Sequence, residues 1–345
     1  MPPLEPVLSQ RELQRAVLAR QLLLERASVS LPRALERVAG LQSQYAPTMY
    51  IGLWSRVSGF QRDDLTAALE RRLVVQATLM RATIHLVSAA DYWPLVLAIR
   101  PSRQRWWLRS TKGNEVVNRQ AAERVRHALD VDKQLTGKEL DRIAGKDAAG
   151  AGLWLDLVRV PPSGTWERRR ADVYAAATDW VGPEPDLAYD DALDHLVKRY
   201  LTGFGPASMH EIATWAGMPV TEIASTVGRL KVRRFRAEDG QTLVDVHRLP
   251  LPDPDTPAPV RFLSTWEAIL LAHARRAVIV REDDRSRIFH TKIPHSKNTF
   301  LVDGVVEGTW RYAGGHVEVS PWRSLDKPTM AAVNDEAERV AAFHR

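Results

Sequence analysis

The sequence predicts an α+β protein of three tandem winged-helix modules followed by a C-terminal β-rich unit. Three observations carry this expectation. Apolar residues recur at helical spacing and then give way to paired β-branched runs, and this happens three times along the 345 residues. A Pro-rich stretch at 249–259 breaks the pattern once. Beyond it, strand signals outnumber helical ones. The expected organisation is winged helix one at 1–100, connecting helices and winged helix two at 101–187, and winged helix three at 188–247. A linker at 248–259 and a β-rich unit at 260–345 complete it.

In the first module Ser9 is the expected N-cap, with Glu12 completing a capping box before Leu13, Val17, Leu18 and Leu22. A second helix starts after Ser30, with Pro32 in its first turn and Leu35, Val38 and Leu41 on one face. Pro47 ends or redirects that segment. Apolar residues at 49–57 and a helix at about 63–72 come next, then strands at 74–78 and 83–87 that turn near Arg81. The second module is read from a helical stretch at 120–145, the run at 153–160 that follows it, and a turn and wing-like stretch at 161–166. The third is the clearest. It has helices at 190–200, 208–215 and 221–230, then a hairpin of 232–235 and 242–246 around Asp239-Gly240. After the linker, 277–280, 299–302, 305–310 and 317–319 are strand-like, Asp303-Gly304 is a hairpin turn, and a helix near 328–343 closes the chain.

Composition narrows the chemistry. With no Cys, disulfide scaffolds, Cys-ligated zinc, iron–sulfur clusters and thiol nucleophiles are excluded. No apolar run reaches the roughly 18 residues of a membrane span. The opening residues Met1 to Pro6 lack a secretory pattern, so a cytoplasmic location is expected. Net charge is +6, and 39 of the 48 cations are Arg. The planar guanidinium fork fits phosphates and base edges, although a GC-rich coding sequence enriches Arg as well. A concave basic channel about as wide as duplex DNA is the expected outcome.

The segment 40–47 stands apart from its Arg/Leu/Ala background. It places two neutral amides, Gln42 and Gln44, at what reads as the end of a helix running into a loop. Paired amides hold a water without ionising; two polar surface residues near a helix end look the same on spacing alone. The run GLQSQYAPTMYIGLWSRVSGF at 40–60, with LMRATIHLV at 79–87, resembles the AlkZ-type winged-helix DNA glycosylases. Further matches lie at 261–276 and in LVDGVVEGTW at 301–310, so the resemblance spans nearly the whole chain. It implies tandem winged helices and a β-rich part wrapped around duplex DNA, and monofunctional removal of N7-alkylated guanines or unhooking of interstrand crosslinks. It also implies a catalytic Gln, any residue, then Gln or Asp. Gln42 and Gln44 match the Gln–Gln branch, which often protects producers of DNA-alkylating natural products. One departure is Trp266-Glu267, where the family pattern has an aromatic followed by Asp; Glu keeps the charge.

The DNA-contacting candidates are Arg81 and His85 of the first hairpin, and His290, Lys292, His295 and Lys297 of a loop between strands. Arg168, Arg169 and Arg170 on the wing of the second module join them, and Lys231, Arg233, Arg234 and Arg236 form another basic cluster. Trp106-Trp107 either stacks on bases or packs in a core, with the core favoured. Neither a metal nor a cofactor is expected: His290 and His295 lack helical ligand spacing, and Pro294 lies between them. The expected partner is double-stranded DNA carrying alkylated guanine, bound by a nucleoid-associated monomer. The alternative is a non-enzymatic winged-helix DNA binder or transcriptional regulator, and the Gln pair is what separates the two.

Overall fold

A computed structural model describes residues 5–145, 148–249, 251–271, 273, 276–289 and 296–345. Its first helices begin at the caps written in the sequence. Strand β1 (Val7–Leu8) leads into α1 (Gln10–Arg20), where Ser9 and Glu12 form a capping box. Helix α2 (Leu31–Val38) has Pro32 in its first turn and ends on two left-handed residues, Ala39 (φ 62°) and Gly40 (φ 76°). A Cβ at Gly40 would lie 2.9 Å from Val87 Cγ1 and 3.0 Å from Leu86 O. Glycine therefore lets the chain leave the helix hard against a neighbouring strand. Next come β2 (Leu41–Gln42), α3 (Ala46–Trp54), α4 (Arg62–Glu70), β3 (Val74–Thr78) and β4 (Ile84–Ser88).

After Ser88 comes α5 (Ala89–Thr111), the longest described helix, which begins well before the connecting helices expected from residue 101. Pro94 and Pro101 lie inside it and break the usual helical signal. Then follow α6 (Glu115–Asp132), β5 (Leu135–Thr136), α7 (Gly137–Ala144), α8 (Ala148–Ala151), β6 (Leu157–Arg159), β7 (Val173–Ala176) and α9 (Ala177–Trp180). Within the run at 153–160 only the three residues of β6 are strand. The third unit is α10 (Tyr189–Phe204), α11 (Met209–Ala216), α12 (Val220–Arg229), β8 (Val232–Ala237) and β9 (Thr242–Val246), as its periodicity predicted. The last is β10 (Arg261–Leu263), α13 (Arg285–Ile288), β11 (Thr299–Val302), β12 (Val305–Ala313), β13 (His316–Pro321) and α14 (Lys327–His344).

Three sheets join these units. The first two share one six-stranded sheet, β2-β4-β3-β6-β7-β5, through the antiparallel register Gln76↔Arg159 and Ala77↔Val158. In the third unit β1 pairs parallel with β8, so the N-terminal residues complete a sheet that the sequence placed more than 200 residues away. The β-rich end is the meander β10-β11-β12-β13, turned at Asp303 (φ 47°) and Gly304 (φ 82°). It shares a core with the first unit: Phe262, Phe300, Trp310 and Phe343 pack with Leu35, Tyr50 and Leu53. Arg56 and Glu267 form a fully buried, two-pronged ion pair across this seam, at 2.6 and 3.1 Å. The Glu that departs from the family pattern is therefore a structural partner. The Pro-rich linker lies against α1, where Arg15 Nε donates to Thr256 O (2.7 Å) and Arg11 Nε to Pro254 O (3.0 Å).

The expected strand at 277–280 is absent. A 3₁₀ turn covers Arg276–Val278, and Ile279 and Val280 are buried in the large core that also holds α5, α10 and α11. A four-residue apolar run is the same signal for a strand and for a buried turn, so tertiary packing decides. No described helix is long and apolar enough to cross a membrane.

Candidate active site

Gln42 and Gln44 do not sit at the end of a helix. Gln42 is the last residue of β2, paired with His85 of β4, and Pro47 opens α3 instead of closing α2. The difference matters for the chemistry. In a helix positions i and i+2 diverge, whereas along extended backbone they point to one side. Ser43 N donates to Ile84 O (2.8 Å), and Ile84 N in turn donates to Gln44 Oε1 (2.6 Å). The Gln44 side chain thus takes the ladder position that its own backbone leaves as the chain turns into α3. Gln44 is exposed, while Gln42 is only 7% exposed.

Gln42 is fixed from the opposite side. Arg81 donates from Nη2 to Gln42 Oε1 (3.2 Å) and from Nη1 to the carbonyl of Trp215 (2.6 Å), near the end of α11. Arg81 and Ala82 are both left-handed, each with φ 54°, in the turn between β3 and β4. Tight hairpin turns usually give such positions to Asn or Gly, so this backbone is held by its surroundings. Gly217 is part of the reason: a Cβ there would stand 3.2 Å from the Cα of Arg81. Burial pulls the Arg81 pKa down to about 10, which still leaves it charged at neutral pH.

Behind this pair lie two neutral imidazoles. His85 is 3% exposed, and its Nδ1 lies 3.0 Å from Thr83 O, so that nitrogen carries the proton. Burial, and then the Arg81 charge, push its pKa down to about 3. His273 is as deeply buried, packs edge-on against Phe204, and is held well below the ordinary histidine pKa, again mainly by burial. Its backbone carbonyl accepts from the Tyr200 hydroxyl.

Several expectations change here. Arg81 and His85 were expected to face DNA. Instead Arg81 spends its guanidinium on Gln42 and Trp215, and His85 is buried and uncharged with its Nδ1 on Thr83 O. Arg168, Arg169 and Arg170 are exposed as expected on the loop between β6 and β7. Arg169 Nη1 donates to the Tyr45 hydroxyl (3.0 Å), and Arg170 pairs with Asp172 (2.9 Å). Lys297 is exposed, whereas His290, Lys292 and His295 fall outside the described residues. Trp106 is 46% exposed, which overturns its assignment to a core. Sequence reasoning missed His273 and the backbone carbonyl of Trp215. A lone His in an apolar run and a main-chain oxygen leave no pattern to find.

The chain belongs to the AlkZ-like DNA glycosylase family, whose model matches residues 35–343, and it is a DNA glycosylase. The interstrand DNA cross-link repair glycosylase of Streptomyces sahachiroi is 22% identical to it over 358 aligned residues, covering 93% of each chain. The solved structure of Streptomyces sahachiroi DNA glycosylase AlkZ has the same fold, with a TM-score of 0.82 at 18% identity over 98% of this chain and 97% of that one.

Proposed function

We propose that this glycosylase removes N7-alkylguanine from duplex DNA, using a water oriented by Gln42 and Gln44. The observation that carries the reading is the state of the two amides. Each carbonyl oxygen already accepts one hydrogen bond from the protein, from Arg81 in one case and from the Ile84 N–H in the other. Each therefore has a defined direction and one lone pair left. A water that donates a hydrogen to each oxygen presents its own lone pair outward, towards the anomeric carbon of a bound nucleotide. N7-alkylguanine is a cationic leaving group, so its glycosidic bond needs no protonation. What the enzyme supplies is position and stabilisation of an oxocarbenium-like sugar. Without a carboxylate at either position, catalysis relies on a labile bond.

The exposed Arg168, Arg169 and Lys297 would serve as contacts for backbone phosphates, in a basic channel occupied by one DNA duplex and one protein monomer. Interstrand crosslinks, the substrate named for the Streptomyces sahachiroi relative, fit the same chemistry when the cross-linked base is an N7-alkylated purine, and so do bulky adducts at N7. In a producing organism that activity would serve self-resistance, exercised at the nucleoid.

Single-turnover excision of N7-alkylguanine, corrected for spontaneous depurination, tests the reading. Gln42→Ala and Gln44→Ala are each expected to slow excision by about 10²- to 10³-fold with duplex binding retained. The double variant is expected to be scarcely slower than either single one, since the residues act on one water. Near-normal rates in both single variants would remove the amides from the mechanism.

A further inference from the structure

A cavity of about 350 Å³ opens one residue beyond Gln44, at Tyr45. It is lined by residues from the start of α3, the loop joining β6 to β7, strand β12 and the end of α14. Its walls are aromatic. The Tyr45 ring is 45% exposed and stacks on no other ring among the described residues. Tyr312 is fixed by stacking on His344, with ring centroids 4.2 Å apart and planes at 15°. Burial, with the charges of Arg169 and Arg62, lowers the His344 pKa to about 4, so this imidazole is neutral. The polar groups at the cavity are unspent. The Asn298 carboxamide and the Tyr312 hydroxyl make no hydrogen bond among the described residues. Arg169 donates from Nη1 to the Tyr45 hydroxyl (3.0 Å) and from Nε to Trp166 O (3.3 Å), which leaves Nη2 without an acceptor among the described residues. The charge is one-sided: Arg169 and Arg311 line the cavity, and no carboxylate of a described residue does. Glu318 balances Arg311 at 2.6 Å, whereas Arg169 has no acidic partner among the described residues.

We infer that this cavity receives an undamaged nucleobase of the bound DNA, the lesion's neighbour or the base opposite it, unstacked from the duplex and held with its phosphate at Arg169. Aromatic side chains take unstacked bases whatever their sequence, because every base has a π-face. Tyr45 offers such a platform. The Asn298 carboxamide brings a donor and an acceptor to a base edge, and Arg169 Nη2 brings a donor to a phosphate. The lesion itself is the wrong occupant. N7-alkylguanine is cationic, and an unbalanced guanidinium with no carboxylate beside it repels a second positive charge. Only that charge is taken from the N7-alkylguanine reading above; DNA as the ligand follows from the glycosylase family. Lodging a normal base here opens the duplex beside the amides, so a bulky adduct need not itself be extruded.

The test measures binding of the full chain to duplexes that carry a tetrahydrofuran abasic analogue at the lesion position, so that no bond is broken. Single further bases are removed in turn: the one opposite, and the neighbour on either side. Tyr45→Ala, a change at an exposed position, is expected to weaken binding of the parent duplex about tenfold, the scale of one lost stacking contact. Removing the one base that occupies the cavity should cost the unmutated protein as much, and Tyr45→Ala should then cost nothing more on that duplex. Tyr45→Phe should bind within about twofold of normal, since stacking needs only the ring face. Asn298→Ala should weaken binding about threefold, and only on duplexes that keep that base. Similar losses from Tyr45→Ala on every duplex, no loss on any, or no binding by the unmutated protein would overturn the assignment. Failure of the unmutated protein to excise N7-alkylguanine, with the binding pattern intact, would overturn the excision reading alone.

Discussion

Gln42 and Gln44 differ by one intervening residue and by everything around them. Gln42 is buried and bound by an arginine that also grips the third helical unit. Gln44 is exposed, and its amide oxygen rests on one backbone N–H of its own sheet. The first amide is therefore set by tertiary structure, through contacts among residues 42, 81 and 215. The second is set within its own sheet, by the start of β4 alone. A pair that looks symmetric in sequence has one rigid member and one adaptable member, and this asymmetry makes the two halves separable by experiment.

The largest effect is expected where the rigid half is broken. Arg81→Ala frees the Gln42 oxygen and leaves the Trp215 carbonyl without its donor, so excision should fall towards the level of Gln42→Ala, about 10²-fold or more. Arg81→Lys should restore little, because one ammonium cannot reproduce a fork that spans two acceptors. Full activity in Arg81→Ala would show that Gln42 needs no outside support. On the adaptable half, Gln44→Asp keeps an acceptor within reach of the Ile84 N–H and adds a base, so excision within about tenfold of normal is expected. Collapse to the Gln44→Ala rate would show that side-chain length, not acceptor character, is what counts there.

Acidity gives a subtler contrast. The groups around Gln42 are two amides, an arginine with a pKa of about 10 and a histidine with a pKa of about 3. None of them titrates near neutrality, so the single-turnover rate should be flat from pH 5.5 to 8; a bell-shaped profile would implicate an acid or base outside this set. Stability should respond differently. The unfolded chain protonates His85 near the ordinary value of 6.5, whereas the folded chain resists until about 3. The unfolded state therefore binds more protons between those values, and stability falls as pH drops through that window. His85→Asn should show a smaller fall in Tm between pH 7 and pH 4. An unchanged slope would assign the acid limb to other groups, such as His344, whose pKa burial lowers to about 4.

The smallest effects belong to the rim. Arg168→Ala and Lys297→Ala should each weaken binding of undamaged duplex modestly and reduce the salt dependence of that binding by about one unit of log–log slope. Excision from saturated complexes should not change. An unaltered salt slope would place either residue away from the DNA.

Much of this architecture was legible because it is written in local chemistry. Ser9 with Glu12, Ser208 with Glu211 and Thr136 with Glu139 are capping boxes whose spacing alone fixes where a helix begins. The hairpins announced themselves through β-branched runs around Arg81 and Asp239-Gly240. The failures share a cause. Pro47 reads equally as a helix stop or a helix start, and the choice turned on whether Leu41 could pair with Leu86. Likewise, 89–111 is helical despite two prolines because its apolar face is buried in the main core with α10 and α11.

What the sequence by itself determined is where most of the helices and hairpins lie, the excess of positive charge, and the choice of the two amides as candidates, since each of these depends on residue type and short spacing. What only the tertiary structure decided is how those parts meet. It joined two modules into one sheet, brought β1 to β8, and buried Glu267 against Arg56. It also turned Arg81 inward to hold Gln42 instead of outward towards phosphate. A guanidinium's preference for two acceptors is fixed by its chemistry, but which acceptors it finds depends on contacts among residues far apart in the chain, and those exist only once the chain has folded.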